Sequence, residues 1–161
     1  MRFAVRSVLL AFAVVVGVAC YITLTEHETG EHVASVSWLP EEATDVTYSR
    51  SYGLTEAEFR IPEPAFLAWA RKRGWDLKPI EHAITVPTAF GLTSHNPAVA
   101  LARAPANVQD QLQEAYQDWL SKAEVRVHDG WQAEYRQDNG GGYRVVYARK
   151  TGRAHYRTSP R

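Results

Sequence analysis

The feature that most limits what this chain can fold into is an uncharged run of nineteen residues near its beginning. The run extends from Ser7 to Thr25, follows Arg2 and Arg6, and ends before an acidic stretch that begins at Glu26. About 20 apolar residues in a helix cross the ~30 Å hydrocarbon core of a bilayer, so the run is predicted to be a transmembrane helix. Basic residues favour the cytoplasmic side, which predicts a cytoplasmic N-terminus and a C-terminal domain outside the cytoplasm.

Two other export signals begin in the same way, and both stay open as alternatives. Gly17 and Ala19 stand three and one residues before Cys20, so a signal peptide cleaved after Ala19 also fits. Val18-Ala19-Cys20 resembles a lipobox, in which the cysteine is lipidated, although Gly17 departs from the usual leucine-like residue. We favour an uncleaved signal-anchor, and all three interpretations export the rest of the chain.

The remaining sequence predicts one extracytoplasmic domain. The expected division is an anchor at 1–25, a polar stalk at 26–32 and a domain at 33–161. A domain of this size is large enough to bury a stable hydrophobic core. The only cysteine is Cys20, so the domain is expected to have no disulfide, no cysteine-based metal site and no cysteine nucleophile.

Periodicity predicts an α+β fold. Apolar residues recur at helical spacing in Pro62–Arg73 and Asn107–Ala123. From Glu124 to the C-terminus the period changes to two, and turn signals at Asp129-Gly130, Asp138–Gly142 and Lys150–Gly152 separate the segments. We therefore expect a four-stranded antiparallel meander at the C-terminal end of the chain. Both helices are expected to pack on one face of the sheet.

The charges are divided unevenly along the chain. Residues 26–121 carry seven basic and fourteen acidic residues, whereas residues 122–161 carry nine basic and four acidic residues. One interpretation is that the two parts neutralise each other when they pack. The other is an anion-binding or partner-binding patch on the C-terminal strands, formed by Arg149, Arg153, His155 and Arg157.

No motif for catalysis, a cofactor or a metal is recognisable in this sequence. Gly140–Gly142 lacks the Lys-Ser/Thr of a phosphate loop and is expected to be a hairpin tip. No pattern of metal ligands occurs, so we expect neither a metal site nor a cofactor. A hydrolase would have to assemble its site from scattered residues, with His82, His128 or His155 meeting an acid in a cleft.

Two stretches of the sequence resemble patterns found in other proteins. LPEEATDVTYS at 39–49 with EFRIPEPAFLAWA at 58–70, and the ending GGGYRVVYARKTGRAHYRTSPR at 140–161, are similar to patterns in small bacterial membrane-anchored or lipoprotein-like proteins. The similarity covers about a third of the chain. It implies an envelope location and an α+β fold, and it implies no reaction and transfers no catalytic residue.

These observations favour a non-enzymatic accessory or binding module of the bacterial envelope, held by a single N-terminal span. Its expected partners are the membrane and an envelope protein, and not nucleic acid. The alternatives are the envelope hydrolase and a binder of anionic lipid or polyanion that uses the arginine-rich C-terminal strands.

Overall fold

Alternating apolar and polar residues build a seven-stranded antiparallel sheet in the computed structural model, which describes residues 27–160. Its strands are β1 His27–Val33, β2 Thr44–Ser51, β3 Leu54–Arg60, β4 Lys78–Pro79, β7 Gly130–Arg136, β8 Gly142–Ala148 and β9 Arg153–Ser159. Across the sheet, the strand order is β1-β2-β3-β9-β8-β7-β4. The N-terminal and C-terminal parts of the chain meet in the middle of this sheet, where β3 pairs with β9.

The segment between β4 and β7 forms a second layer. Two strands, β5 Ile84–Pro87 and β6 Glu124–Val127, pair with each other in a separate two-stranded sheet. The helices of the chain are α1 Glu63–Arg73, α2 Ala89–Thr93, α3 Ala98–Ala102 and α4 Gln109–Ala123, with a 3₁₀ turn at Ala106–Val108 before α4. The α+β architecture with a mostly antiparallel sheet and a few helices is therefore confirmed.

One face of the large sheet is aromatic and is covered by α1. Helix α1 begins after Pro62, which has no N–H to leave unsatisfied, and ends at Gly74 in the left-handed conformation. Its buried side chains Phe66 and Trp69 lie on the sheet, and the ring of Phe66 stacks on Tyr147 at 4.7 Å between centroids. Contacts of this kind fix the position of α1 and form the main core.

The opposite face carries polar side chains and a smaller core. We call it the polar face, because Glu56, Glu58, Arg153, His155 and Arg157 all project from it at alternate positions of β3 and β9. Part of this face is covered by β5, β6 and α2. The buried apolar residues of β5 and β6 form a second cluster with those on this face of the large sheet. That cluster contains Ile80, Val86, Val127, Val146 and Ala148.

The predicted placement of the second helix is wrong. Helix α4 packs against α2, α3 and β6, and the indole of Trp119 donates a hydrogen bond to Ser94 at 2.7 Å. Its apolar stripe is only half buried, because short helices cover it rather than the sheet. An apolar stripe shows that a helix packs against another part of the protein, but it does not show whether that part is the sheet or another helix.

The predicted four-stranded meander is also corrected, to three strands. Strand β6 is not part of the large sheet and pairs with β5 instead, while β7, β8 and β9 form the meander. The Asp129-Gly130 pair therefore connects two sheets rather than closing a hairpin. Gly130 has φ +142°, and an added Cβ there would collide with the carbonyl oxygen of Tyr147 in β8. A glycine is required at this point because β7 begins in tight contact with β8.

The N-terminal part of the described chain forms a β-strand rather than an irregular stalk. Residues 27–32, expected to be a polar stalk, form most of β1 and pair with β2. The predicted transmembrane segment at 1–25 lies outside the described residues. In residues 27–160, no helix is long and apolar enough to cross a membrane.

Candidate functional site

Two arginines face each other at the centre of a row of charges on the polar face. The antiparallel registers place Glu56 opposite Arg157, Arg157 opposite Arg144, and Arg144 opposite Glu134. The order of charges along the row is therefore acid, base, base, acid. Like charges placed directly opposite on neighbouring strands destabilise a sheet, so this central pair needs an explanation.

The flanking glutamates compensate the two arginines only in part. Arg157 lies 3.5 Å from Glu56, and Arg144 lies 3.9 Å from Glu134. Both distances exceed the roughly 2.7–2.9 Å of a charge-assisted hydrogen bond. The shorter contact of Glu134, at 2.9 Å, is with Arg136. The guanidinium groups of Arg144 and Arg157 thus keep donor capacity for another anion.

A pocket of about 290 Å³ opens beside this arginine pair. Its wall includes the hairpin tip Gly140–Gly142, the two arginines, Arg136 and the hydroxyl-bearing Ser159. The tip joins β7 to β8, as expected from the sequence. The pocket is open to solvent, and its chemistry is that of planar guanidinium donors, which match the oxygens of phosphate and carboxylate groups.

A second group of charges lies deeper on the same face, under α2. The side chain of Arg153 reaches Asp45 at 2.5 Å and Glu58 at 3.4 Å. Glu58 also accepts a hydrogen bond from the backbone N–H of Ala89, at the start of α2. Burial raises the pKa of the Glu58 carboxyl, and the charge of Arg153 opposes that rise. The network fastens the second layer to the sheet.

The second histidine of β1, His32, extends this network to the surface. His32 Nδ1 lies 2.6 Å from Asp45 Oδ1, and this contact is the largest cause of a lowered pKa at Asp45. Both residues have left-handed backbone conformations, with φ +50° and φ +51°. Such conformations are uncommon for residues other than glycine. His32 lies where the β1–β2 register shifts, and Asp45 lies where the β2–β3 register shifts. An Asp–His pair of this kind could orient a general base.

His155 is the buried histidine of the candidate set. Its ring lies in the interface with the second layer, where Nδ1 donates a hydrogen bond to the carbonyl oxygen of Pro87 at 3.0 Å. Burial lowers the pKa of His155 from 6.5 to about 4, and the neighbouring charge of Arg153 acts in the same direction. His155 is therefore a neutral structural residue at pH 7.

The four residues predicted as an anion-binding patch are distributed over three environments. Arg153 and His155 lie beneath the second layer, while Arg157 lies in the open pocket. Arg149 is elsewhere: it pairs with Asp129 and Glu63 and lies 5.5 Å from the Trp131 ring centroid. The structure brings Arg157 together with Arg144 and Arg136, which the sequence interpretation missed.

The three histidines proposed from the sequence for a hydrolase, His82, His128 and His155, do not converge with an acid in a cleft. His82 and His128 are exposed, and in the part of the chain that the structure describes no group of three or more His, Cys, Asp and Glu side chains could hold a metal. The His155 ring is engaged by Pro87, although the register places it opposite Glu58. The pair with the geometry of an acid and a base is instead His32–Asp45.

Comparison with known proteins leaves the site to be interpreted from its own geometry. The chain matches no protein-family model, no curated protein and no solved structure.

Proposed function

We propose that this chain is a non-enzymatic binding module of the bacterial envelope, tethered by its N-terminal segment, that recognises an anionic group with Arg144 and Arg157. The observation that carries this proposal is the direct opposition of these two arginines on neighbouring strands. An oxyanion bound between them would replace a repulsion by two attractive, charge-assisted contacts.

The distances support a site for an external ligand rather than a closed ion-pair network. Each arginine has one carboxylate neighbour at 3.5 Å or more, and the Arg157 side chain is 62% exposed. An arginine held only for stability would be expected at hydrogen-bonding distance from its partner, as Arg153 is from Asp45. The surrounding pocket has space for a phosphate-sized or carboxylate-sized group.

The location follows from the sequence and is part of the proposal. The uncharged run Ser7–Thr25, with basic residues before it and acidic residues after it, supports a single span with the domain outside the cytoplasm. The positive balance of residues 122–161 supports an anionic partner for the C-terminal strands. That partner is the membrane surface or an acidic segment of an envelope protein.

Binding of pyrophosphate, used as a probe, tests the arginine pair. The full chain in neutral detergent is expected to bind pyrophosphate. Arg144→Gln or Arg157→Gln should each weaken binding by about tenfold to a hundredfold, since a hydrogen bond to a charged group contributes roughly 1.5–3 kcal/mol. Titration calorimetry at two salt concentrations measures the affinity, which should fall as salt rises.

A matched control separates this site from general charge. The double variant Arg71→Ala/Lys72→Ala removes two exposed cations from the last turn of α1 and should bind as the wild type does. Thermal unfolding provides a second readout: Arg144→Gln should leave stability unchanged or raise it by up to about 0.5 kcal/mol, because it removes a like-charge pair. Equal loss of binding in the control and in the arginine variants would contradict the proposal.

A hydrolase is the second candidate, and one observation favours it. His32 is paired with Asp45 beside a pocket of about 290 Å³ that is also lined by Thr47, Phe90 and Ser94. Hydrolysis of chromogenic esters by the purified full chain, abolished in His32→Asn and retained in the Arg144→Gln variant, would establish this second function in place of the first.

A further inference from the structure

We propose that one end of the large sheet is a membrane-facing surface that lies against anionic phospholipid headgroups. This end, called here the entry end, is formed by His27, the Tyr52–Gly53 turn, the 137–141 turn and Pro160. The inference rests on the proposed function and assigns a source to its anionic group, the phosphate of a lipid headgroup.

The strand registers place the arginine pair at the entry end. Thr29 near the start of β1 pairs with Ser49, and Ser49 pairs with Glu56. Glu56 begins the charged row that continues to Arg157 and Arg144. The arginines and the first residues of β1 therefore lie at the same level along the strands. Neighbouring strands lie about 4.8 Å apart, and three such spacings separate β1 from β9. Arg157 is therefore roughly 14 Å across the sheet from Thr29.

The length of chain before β1 limits how far the entry end can be from the membrane. Only two residue steps separate Thr25, the end of the uncharged run, from His27, the first residue of β1. Two extended residues span at most about 7 Å. The headgroup region on each side of a bilayer is about 5–7 Å thick. A span that ends at Thr25 would therefore place His27 within or directly against the headgroups.

The exposed aromatic side chains at the entry end suit the same environment. Tyr52 is 75% exposed in the β2–β3 turn, and Tyr135 is 52% exposed near the end of β7. Tyr52 lies in the turn before β3, whereas Tyr135 projects from the aromatic face, where its ring stacks on Tyr143. Tyrosine is enriched at membrane interfaces, and arginine binds anionic headgroups there. Exposed tyrosines at the same end of the sheet as the arginine pair thus fit a headgroup surface.

The acidic residues at this end define the kind of binding to expect. Glu28, Glu56, Glu134 and Asp138 offset the charge of Arg50, Arg136, Arg144 and Arg157. The entry end is therefore not a broad basic surface. Recognition should be local, with single lipid phosphates bound between Arg144 and Arg157.

Fluorescent labels at opposite ends of the sheet test this orientation. In a Cys20→Ser background, Asn139→Cys labels the β7–β8 turn at the entry end, and Lys150→Cys labels the β8–β9 turn at the far end; both positions are exposed. The full chain is reconstituted into phosphatidylcholine vesicles in which about a third of the lipid is phosphatidylglycerol. Lipids with a spin label on the headgroup then quench fluorophores near the membrane surface.

The expected result is severalfold stronger quenching at position 139 than at position 150. Arg144→Gln/Arg157→Gln should reduce the difference between the two positions in the anionic vesicles. Equal quenching at both positions, or stronger quenching at position 150, would overturn the membrane-facing inference. Pyrophosphate binding in detergent is measured independently of the quenching. If the wild type binds pyrophosphate and the arginine variants bind it more weakly, the proposed function holds even when the lipid assignment fails. If the arginine variants bind pyrophosphate as the wild type does, the proposed function itself fails.

Discussion

Replacing Arg153 with methionine is expected to lower the free energy of unfolding at neutral pH by about 3–5 kcal/mol. Arg153 is the cation that faces both Glu58 and Asp45, and its own side chain is 81% buried, with 19% exposed. Without it, the Glu58 carboxylate would stay in a nearly dry site, where it accepts a hydrogen bond from the N–H of Ala89. Removing one partner of a buried pair costs more than the pair contributes, because the other charge stays desolvated.

Urea unfolding of the full chain in neutral detergent measures this loss. Arg60→Met is the matched control: Arg60 also contacts Asp45, at 3.4 Å, but its side chain is 63% exposed, so its loss should cost less than about 1 kcal/mol. The double variant Glu58→Gln/Arg153→Met should recover most of the stability. A loss of less than about 1 kcal/mol in Arg153→Met would show that the network does not hold the second layer on the sheet.

The pH dependence of the Arg153→Met variant gives the same argument an independent check. Burial raises the pKa of Glu58 in the folded protein, and removing Arg153 should raise it further. The variant can then protonate Glu58, which relieves the buried charge. The stability difference from the wild type should therefore be largest at neutral pH and should shrink as the pH falls.

His155 is expected to make the protein lose about 3 kcal/mol of stability between pH 6.5 and pH 4. The unfolded chain binds a proton at this residue below about pH 6.5, whereas the folded protein binds it only near pH 4. Protons therefore favour the unfolded chain across this window, and stability falls as the pH falls. The physical cause is burial of the imidazole between β9 and Pro87.

His155→Asn isolates this contribution. Asparagine retains a side-chain N–H that can donate to the Pro87 carbonyl, and it does not titrate. Urea unfolding from pH 7 to pH 4 should show the stability advantage of the wild type over His155→Asn shrinking by about 3 kcal/mol. His82→Asn, at an exposed position, should show no such change. A constant difference between the wild type and His155→Asn would mean that the imidazole takes up its proton over the same pH range in the folded protein as in the unfolded chain.

Local chemistry allowed much of the fold to be predicted. Pro62 and Gly74 mark the ends of α1, and Phe66 and Trp69 mark its buried face, since helix ends and helix faces depend on neighbouring residues. The β7–β8 hairpin was likewise predicted from its turn residues. The sheet partner of β6 was not, because an alternating strand pattern specifies a buried face without naming the neighbouring strand.

The candidate site illustrates the same limit. The turn at Lys150–Gly152 was recognised in the sequence, and the register it sets pairs Ala148 with Arg153 and therefore Arg144 with Arg157. Counting outward from the turn would have found this pair. The pair of His32 with Asp45 carried no such signal, because both residues lie at shifts in strand register, His32 between β1 and β2 and Asp45 between β2 and β3.

By itself, the sequence determined that an uncharged run precedes a domain without cysteine, that the domain mixes helices with antiparallel strands, and where α1 and the C-terminal turns lie. These properties depend on composition and on residues close together in the chain. Only the tertiary structure decided which arginines remain available to an anion. Arg153 and Arg157 are four residues apart on the same face of β9, yet α2 and its neighbours cover the first and leave the second exposed. Of the covering elements, β5 and α2 lie sixty or more residues from Arg153 in the sequence. Burial by such distant elements distinguishes a structural charge from one that can bind a ligand.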